Sequence, residues 1–469
     1  MPAWIIAASY LCGVVAAVEA VMTARTATGA TAWAVSLLAM PWVAVPAYVV
    51  LGRSKFEGRL AAYETRKQEI EALVARIRDN LRPWTLSSPE QGNYRAIQKL
   101  SGMELTKGNR VTLLVDGGAT FDSILAGIAQ ARDYVLVQFY MFHDDGLGRR
   151  MQQALIERAR TGVRVCMLYD EVGSKGLPKS YVDELRAAGV QATSFKPTQG
   201  RRNRFQINFR NHRKMVVVDG ETGWVGGHNV GDEYLGLDPG MTPWRDTHIR
   251  IVGPAVLQLQ AAIVGDWYWA TRTIPELNWQ PQASADGDQR VMVVPSAPTR
   301  QLETAGLLFV TALHSATQKI WISAPYFVPD EAVMKALQLA ALRGVDVRII
   351  TTGKGDSLAV FLAAFHYIHQ LQGLGIRFYA YKPGFLHEKV MLVDDEVSTV
   401  GTANFDNRSF RLNFEVTAVV ADREFASAMN AMFEDDFAHS ERIDPAEFDH
   451  KPFWWRLAVN VSRLASPVL

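Results

Sequence analysis

The chain has 469 residues, more than one ordinary domain holds, so two or three folded units are expected. Its 49 Lys and Arg stand against 48 Asp and Glu, a formal net charge of +1, which argues against a protein built chiefly to coat nucleic acid. The 2 cysteines, Cys12 and Cys166, support neither a zinc cluster nor a disulfide framework and read as two buried free thiols.

Residues 1–52 carry only Glu19 and Arg25 as charged side chains. Within them, 4–22 and 30–51 are each long enough to cross about 30 Å of hydrocarbon as a helix. A short polar turn joins them, so an N-terminal transmembrane helical hairpin is expected. Glu19, beside the turn, reads as an interfacial or paired residue rather than a catalytic one. A cleaved signal peptide fits poorly, because no Lys or Arg precedes Arg25. Pro41 and Pro46 interrupt the second apolar stretch and are expected to kink it. Arg53, Lys55, Arg59, Arg66 and Lys67 crowd its exit, so the positive-inside rule places the large remainder in the cytoplasm, with the N-terminus on the same side. Residues 53–104 connect the apolar region to the rest of the chain. Within them 54–82 reads as a charged amphipathic helix, lying along the membrane or packed on the body.

From there the chain repeats itself. Residues 211–229, NHRKMVVVDGETGWVGGHN, contain His212, Lys214, Asp219 and Asn229. Residues 386–404, LHEKVMLVDDEVSTVGTAN, contain His387, Lys389, Asp394 and Asn404 in the same register without a gap. One His-x-Lys pair means little, but two copies of the whole pattern are a strong signal. The flanks repeat too: each copy follows helix, apolar strand, helix, apolar strand, then a further helix and strand. Helices alternating with apolar strands imply an α/β class. The expected architecture is two fused α/β sandwich domains, 105–275 and 276–440, facing each other about a pseudo-twofold axis. An amphipathic tail, 441–469, completes the chain.

Side chains two apart on a strand share a face, so each His projects with its Lys. If the halves close on each other, both pairs meet in one site. Lys214, Lys389, Asn229 and Asn404 would then surround a small volume with donors, a setting for an oxyanion and above all a phosphate. One neutral imidazole can attack phosphorus while the other, protonated, supplies the leaving group with its proton. No carboxylate cluster for a metal is visible, and the chemistry needs neither metal nor cofactor. Asp219 and Asp394 complete the candidate catalytic motif. Each ends its strand, however, where parity points it away from the Lys face, and a turn or salt-bridge role fits it better. Glu415, downstream of His387, and Asp246, downstream of His212, are the candidate carboxylates that orient the imidazoles.

These motifs resemble the phospholipase D superfamily, whose hallmark is the duplicated His-x-Lys-x4-Asp pattern. Within it the likeness is to bacterial cardiolipin synthases of the two-span type. It is carried by PYFVPD (325–330), GFLHEKVMLVDD (384–395) and GTANFDNRSFRLNFE (401–415), together with the double apolar N-terminus and the C-terminal RLASPVL. The departure is at 226–229 and 401–404, where a serine often follows the first glycine but this chain has Gly227 and Thr402. That puts one hydroxyl contact to the phosphate in doubt. The resemblance implies a metal-independent phosphatidyl transfer between two phosphatidylglycerol molecules, giving cardiolipin and glycerol, in the bacterial cytoplasmic membrane. It also implies His212 as nucleophile and His387 as acid and base, although the symmetry of the motifs leaves that order open.

Other features suit a lipid. Arg201, Arg202, Arg204 and Arg210 precede the first His and could gather anionic headgroups, or form an ordinary solvated loop. Tyr326 and Phe327 either line a lipid entrance or belong to the core. In the tail, Trp454, Leu457, Val461, Leu464 and Val468 recur at steps of three and four. Such a helix lies in the membrane interface or docks on the spans or the body. The expected partners are phosphatidylglycerol and an anionic bilayer, without nucleic acid, and a homo-oligomer is compatible with the sequence. The same motifs would serve a phosphodiesterase, lipid hydrolase or nuclease, with water as acceptor. A membrane-anchored scaffold on an inactive fold is a further alternative, disfavoured because both His and both Lys are present.

Overall fold

The computed structural model describes residues 2–52, 56–86, 94–199, 208–299, 302–353, 355, 357–444 and 446–468. Arg201, Arg202 and Arg204 of the basic loop therefore lie outside the described residues.

The apolar N-terminal region forms three helices, α1 (Ala3–Thr23), α2 (Ala27–Ala39) and α3 (Pro41–Leu51). Among the described residues, α1 is the one helix with the length and hydropathy to cross a membrane. The second apolar stretch breaks at its first proline. Met40 adopts φ −137 and ψ 60, out of the helical region, because a following proline disfavours that region for the residue before it. Pro46 is accommodated inside α3. The expected second span is therefore two helices of 13 and 11 residues. Cys12 is exposed on α1, contrary to the expectation of burial, whereas Cys166 is buried.

The charged stretch after α3 is also two helices, α4 (Glu57–Thr65) and α5 (Lys67–Leu81), broken at Arg66. α5 buries Ile77 and Leu81 against Leu257, Val264 and Trp279, so it packs on the body. A short helix, α6 (Arg95–Ser101), leads into the first half.

That half contains β1 (Thr106–Val115), β2 (Tyr134–Phe139), β3 (Arg164–Asp170), β4 (Gln191–Phe195), β5 (Arg210–Asn211), β6 (Met215–Val218), β7 (Thr222–Gly226), β8 (Trp244–Arg245) and β9 (Thr247–Val252). Its helices are α7 (Asp116–Ala129), α8 (Gly146–Arg160), α9 (Lys179–Ala187) and α10 (Val256–Thr271). The second half contains β10 (Gln289–Ser296), β11 (Lys319–Ser323), β12 (Phe327–Val328), β13 (Asp346–Thr352), β14 (Arg377–Tyr381), β15 (Phe385–Leu386), β16 (Val390–Val393), β17 (Val397–Gly401), β18 (Phe405–Asp406), β19 (Asn413–Ala421) and β20 (Ser440–Ile443). Its helices are α11 (Thr304–Ser315), α12 (Glu331–Leu342), α13 (Leu358–Gln370), α14 (Asn407–Arg411) and α15 (Arg423–Ala438); α16 (Glu447–His450) and α17 (Phe453–Arg463) lie beyond them.

Most of the strands join one sheet ordered β20-β14-β13-β11-β16-β17-β19-β10-β1-β9-β7-β6-β2-β3-β4, with β5 added beside β19, while β12 with β18 and β8 with β15 form separate two-stranded pairs. Read outward from its middle, the two halves carry the same sequence of elements, with β20 as an extra edge strand. The seam is β1 against β10, antiparallel, pairing Thr106 with Val291 and Asn109 with Gln289. An antiparallel pair of equivalent strands is what a twofold axis between the halves requires. The central strands are apolar on both faces because helices cover both: every residue of β2, β6 and β16 is buried. Burial of each such Val, Leu or Met contributes about 1.5–3 kcal/mol before the entropy of ordering it is counted.

Two short parallel pairings tie the halves together near the axis. β5 of the first half pairs with β19 of the second, and β8 of the first pairs with β15 of the second. Arg245 adds a buried clasp, with Nε 2.7 Å from Asp436, NH2 3.0 Å from Glu388 and NH1 3.1 Å from Asp116.

The C-terminal helix docks by the face opposite its expected stripe. Trp455 meets Phe365 of α13 with ring centroids 5.1 Å apart, Arg463 lies 3.1 Å from His366, and Val459 is buried. Trp454, Leu457, Val461 and Leu464 remain exposed.

Candidate active site

The two parallel pairings carry the histidines. His212 follows β5, and its backbone N–H donates to the Phe414 carbonyl of β19 at 3.0 Å. His387 follows β15, and its N–H donates to the Arg245 carbonyl of β8 at 2.8 Å. Each imidazole is thus hung from a strand of the opposite half.

Their carboxylates are exchanged in the same way. His212 Nδ1 lies 3.0 and 3.1 Å from the two oxygens of Glu415. His387 Nδ1 lies 2.8 Å from Asp246 Oδ2. Glu415, expected behind His387 of its own half, serves His212, and Asp246, expected behind His212, serves His387, so the pairs are crossed. A carboxylate only accepts, so each Nδ1 carries the proton and each Nε2 keeps its lone pair. Glu415 also accepts from Thr402 Oγ1 at 2.6 Å, Ser409 Oγ at 3.0 Å and Asn413 Nδ2 at 3.0 Å. Burial opposes its ionisation, but the His212 ring and Lys214 outweigh burial and hold its pKa below the usual value. Asp246 is lowered for the same reason: Lys389 and the surrounding imidazoles overcome burial.

Both lysines are buried beside their histidines. Lys214 Nζ donates to the His212 carbonyl at 2.7 Å. Lys389 Nζ donates to the His387 carbonyl at 2.5 Å and lies 2.9 Å from its Nδ1. Burial pulls Lys214 down to about 7, with the charge of Lys389 adding to the fall, and burial pulls Lys389 down to about 8. Burial, then Lys389, pulls His387 down to about 3. His212 is also lowered, by burial first and with Lys389 contributing across the seam. Each lysine therefore acts electrostatically on the imidazole of the other half. The resting site holds neutral imidazoles next to amines poised to be charged, an arrangement that receives an anion.

Asn229 and Asn404 are both buried but are not equivalent. Asn229 accepts from the Met141 N–H at 3.2 Å and donates to the Tyr234 hydroxyl at 2.7 Å, so it braces a loop. Asn404 Oδ1 is buried without a hydrogen-bond partner among the described residues.

The motif carboxylates stand apart from this chemistry. Asp219 accepts from the backbone N–H of Arg132, Asp133 and Tyr134 at 2.8–2.9 Å. Asp394 does the same for Thr317, Gln318 and Lys319 at 2.7–2.9 Å. Each sits at positive φ in the turn that ends its strand, roughly 16 Å of strand away from the lysine that begins the run. In this structure both carboxylates anchor the start of the neighbouring strand, the turn role that fitted their parity.

The Gly-Gly and Gly-Thr difference also has a local cause. A Cβ on Gly227 would stand 1.9 Å from Asp246 Oδ1, so only glycine lets that carboxylate reach His387. Thr402, its counterpart, turns its hydroxyl onto Glu415. The residue at this position serves the carboxylate rather than the phosphate.

Phe327 is wholly buried and stacks on Phe405 at 6.0 Å, so it is core and not a lipid entrance. Tyr326 borders a separate cavity of ≈ 230 Å³ lined by Phe361, Phe365 and Lys382 among others. Arg210 does approach the site: with Arg408 it adjoins the Tyr140 phenol. The Tyr140 ring lies 5.0 Å from that of His212, and Trp244 lies 5.1 Å from His387. Tyr140, Trp244, Arg408 and the hydroxyls behind Glu415 escaped sequence reasoning. Only the polar run 407–413, immediately before Glu415, offered a signal.

The family profile described as "Cardiolipin synthase, PLD-like domain" matches residues 124–241 and 309–437, one segment in each half. The chain is 48% identical over 466 residues to cardiolipin synthase A of Pseudomonas putida, covering 98% of this chain and 97% of that one. It is 47% identical over 463 residues to cardiolipin synthase A of Pseudomonas aeruginosa, covering 97% and 94%. Among solved structures, phosphatidylserine synthase of Haemophilus influenzae superposes with a TM-score of 0.59 at 13% identity, covering 80% of this chain and all of that one, which shows a shared fold. A duplicated strand–His–Lys unit, a seam that brings both copies together and full-length identity near one half converge: the chain belongs to the phospholipase D-like cardiolipin synthase family.

Proposed function

We propose that the protein makes cardiolipin by moving a phosphatidyl group from one phosphatidylglycerol to the primary hydroxyl of another, with release of glycerol. The observation that carries this is the pair of imidazoles, each with Nδ1 fixed on a carboxylate and Nε2 free, hung across one seam beside two buried lysines.

His212 Nε2 attacks phosphorus, and the bond from phosphorus to the glycerol oxygen breaks. His387, protonated as the anionic diester enters beside it, gives its Nε2 proton to that oxygen, so glycerol leaves neutral. The phosphatidyl group now rests on His212 as a phosphohistidine. The hydroxyl of a second phosphatidylglycerol gives its proton back to His387 and attacks phosphorus, the N–P bond breaks, and cardiolipin forms with both imidazoles restored. Lys214 and Lys389 stabilise the charge on the non-bridging oxygens throughout. Glu415 and Asp246 hold the tautomers and stabilise the imidazolium when it forms. Arg210 and Arg408, beside Tyr140, favour an anionic headgroup at the His212 side.

The family relationship and the apolar α1 support a membrane enzyme. The basic residues after α3 favour the bacterial inner membrane, with the catalytic body on its cytoplasmic face.

The purified enzyme is tested on phosphatidylglycerol vesicles. Cardiolipin and glycerol in equal amounts are expected, and phosphatidic acid as the main product would instead make it a hydrolase. His212→Ala and His387→Ala should each abolish turnover, and a trapped phosphohistidine should map to residue 212.

A further inference from the structure

The α1–α2 turn and the exit of α3 are fastened to the same body. Arg25, in the turn, lies 3.3 Å from Glu303, which also binds Arg411 at 3.0 Å. Phe56, just past α3, is fully buried among Phe195, Phe209, Trp269 and Phe414, and its N–H donates to the Pro298 carbonyl at 2.9 Å. Two full crossings would put Arg25 on the far side of about 30 Å of hydrocarbon from Glu303.

Between those fastenings the chain doubles back. Trp33 of α2 and Tyr48 of α3 have ring centroids 5.1 Å apart, whereas on one continuous helix they would stand about 22 Å apart. The turn is at Met40–Pro41. Its backbone is largely satisfied: the Met40 N–H donates to Ser36 at 2.9 Å, those of Val43 and Ala44 donate to Met40 at 3.1 and 2.9 Å, and Pro41 has no N–H to satisfy. Gly13 of α1 lies against this tip, where a Cβ would be 2.5 Å from the Leu37 carbonyl and 2.9 Å from the Pro41 side chain. Close packing through small residues is the usual mode for helices in lipid, and Ala17 and Ala20 continue it along α1. Val14, Val18, Val21, Val35, Leu38 and Val43 face outward. From the body, α2 reaches about 20 Å and α1 about 31 Å, so α1 continues well past the tip.

We propose that α2 and α3 form a re-entrant hairpin that enters the bilayer from the side of the catalytic body, turns at Met40–Pro41 within the hydrocarbon and returns. α1 alone crosses, so its start lies on the opposite face from the body. Non-helical backbone at that depth is tolerated because α1 covers it and most of its donors are paired. The charges agree. Arg25 and the basic cluster after α3 then share one face.

The proposal rests on the membrane-enzyme reading, but sidedness can be read without activity. In a Cys12→Ser, Cys166→Ser background, single Pro2→Cys, Ala27→Cys and Leu38→Cys variants are exposed to a membrane-impermeant maleimide in intact spheroplasts and after permeabilisation. Labelling of Pro2→Cys in intact spheroplasts, of Ala27→Cys only after permeabilisation and of Leu38→Cys in neither is expected. Labelling of Ala27→Cys in intact spheroplasts with Pro2→Cys protected would restore two crossings and overturn the proposal. Protection of both, or labelling of both, would overturn it equally. An epitope tag before residue 1, probed with antibody on the same spheroplasts, replaces Pro2→Cys if that variant does not accumulate. Correct sidedness in an enzyme that makes no cardiolipin would defeat the functional reading and leave the topology standing.

Discussion

Glu415→Gln isolates the crossed pairing. Gln keeps the volume of Glu, and its carbonyl can still accept from His212 Nδ1. The bond loses its charge, and the amide nitrogen now faces Asn413 Nδ2, which donated to the carboxylate at 3.0 Å. A charge-assisted hydrogen bond contributes roughly 1.5–3 kcal/mol, which corresponds to a rate loss of about 10- to 150-fold. Rotation of the amide to present its N–H₂ would favour the wrong imidazole tautomer, and that raises losses in comparable triads to about 10⁴. A fall of about 10–10⁴ in kcat is therefore expected, together with a lower Tm, because the buried Asn413 donor loses its acceptor. The decisive readout is which step slows. Single-turnover labelling from radioactive phosphatidylglycerol should show slow formation of the phosphohistidine at residue 212, although Glu415 belongs to the half that carries His387. Asp246→Asn should slow the same step by another route, impaired proton delivery from His387 to departing glycerol. If Glu415→Gln left labelling of His212 at the native rate while Asp246→Asn abolished it, the crossed assignment would fall.

Asp219→Ala should leave three backbone amides without their acceptor; a destabilisation of roughly 2–4 kcal/mol is expected, seen as a lower Tm with kcat per folded molecule within about threefold. Gly227→Ala should cost about 10²-fold or more in kcat, because the methyl displaces Asp246, whereas Thr402→Ala, which removes one donor from Glu415, should cost less. The lysine pKa values of about 7 and about 8 set a pH dependence: both are lowered, so the ammonium charges are lost as pH rises through that range while the phosphodiester stays anionic. KM for phosphatidylglycerol should then rise between about pH 6.5 and 9, kcat should change less because a bound anion holds the protons on, and Lys214→Arg should flatten the rise.

Much of the site was legible without coordinates because its signals are local. The spacing keeps His212 beside Lys214 and His387 beside Lys389, although both pairs lie in the short connections after β5 and β15 and not on a strand, and a repeated pattern with repeated flanks implies two equivalent units. Buried runs such as 215–218 can be nothing but central strands once helices flank them. The apolar length of α1 is likewise a property of consecutive residues. What the sequence could not assign were relations between distant segments with no periodicity to reveal them. Glu415 serves His212, some two hundred residues away, because β5 pairs with β19. Asp246 serves His387 because β8 pairs with β15. β5, β8 and β15 are two residues long, too short to carry a pattern, and they meet only once the halves close along the seam between β1 and β10. Phe327 is core and Tyr140 adjoins the site for the same reason: which side of a strand end meets the axis is set by packing. The apolar stretch 30–51 shows the limit most clearly, since hydropathy counts length and is blind to a reversal at Met40. Composition determined the repeated strands, the acid–base groups and the affinity for lipid. Closure of the two halves decided which carboxylate meets which imidazole, because that choice depends on a twofold contact between segments that no local interaction relates.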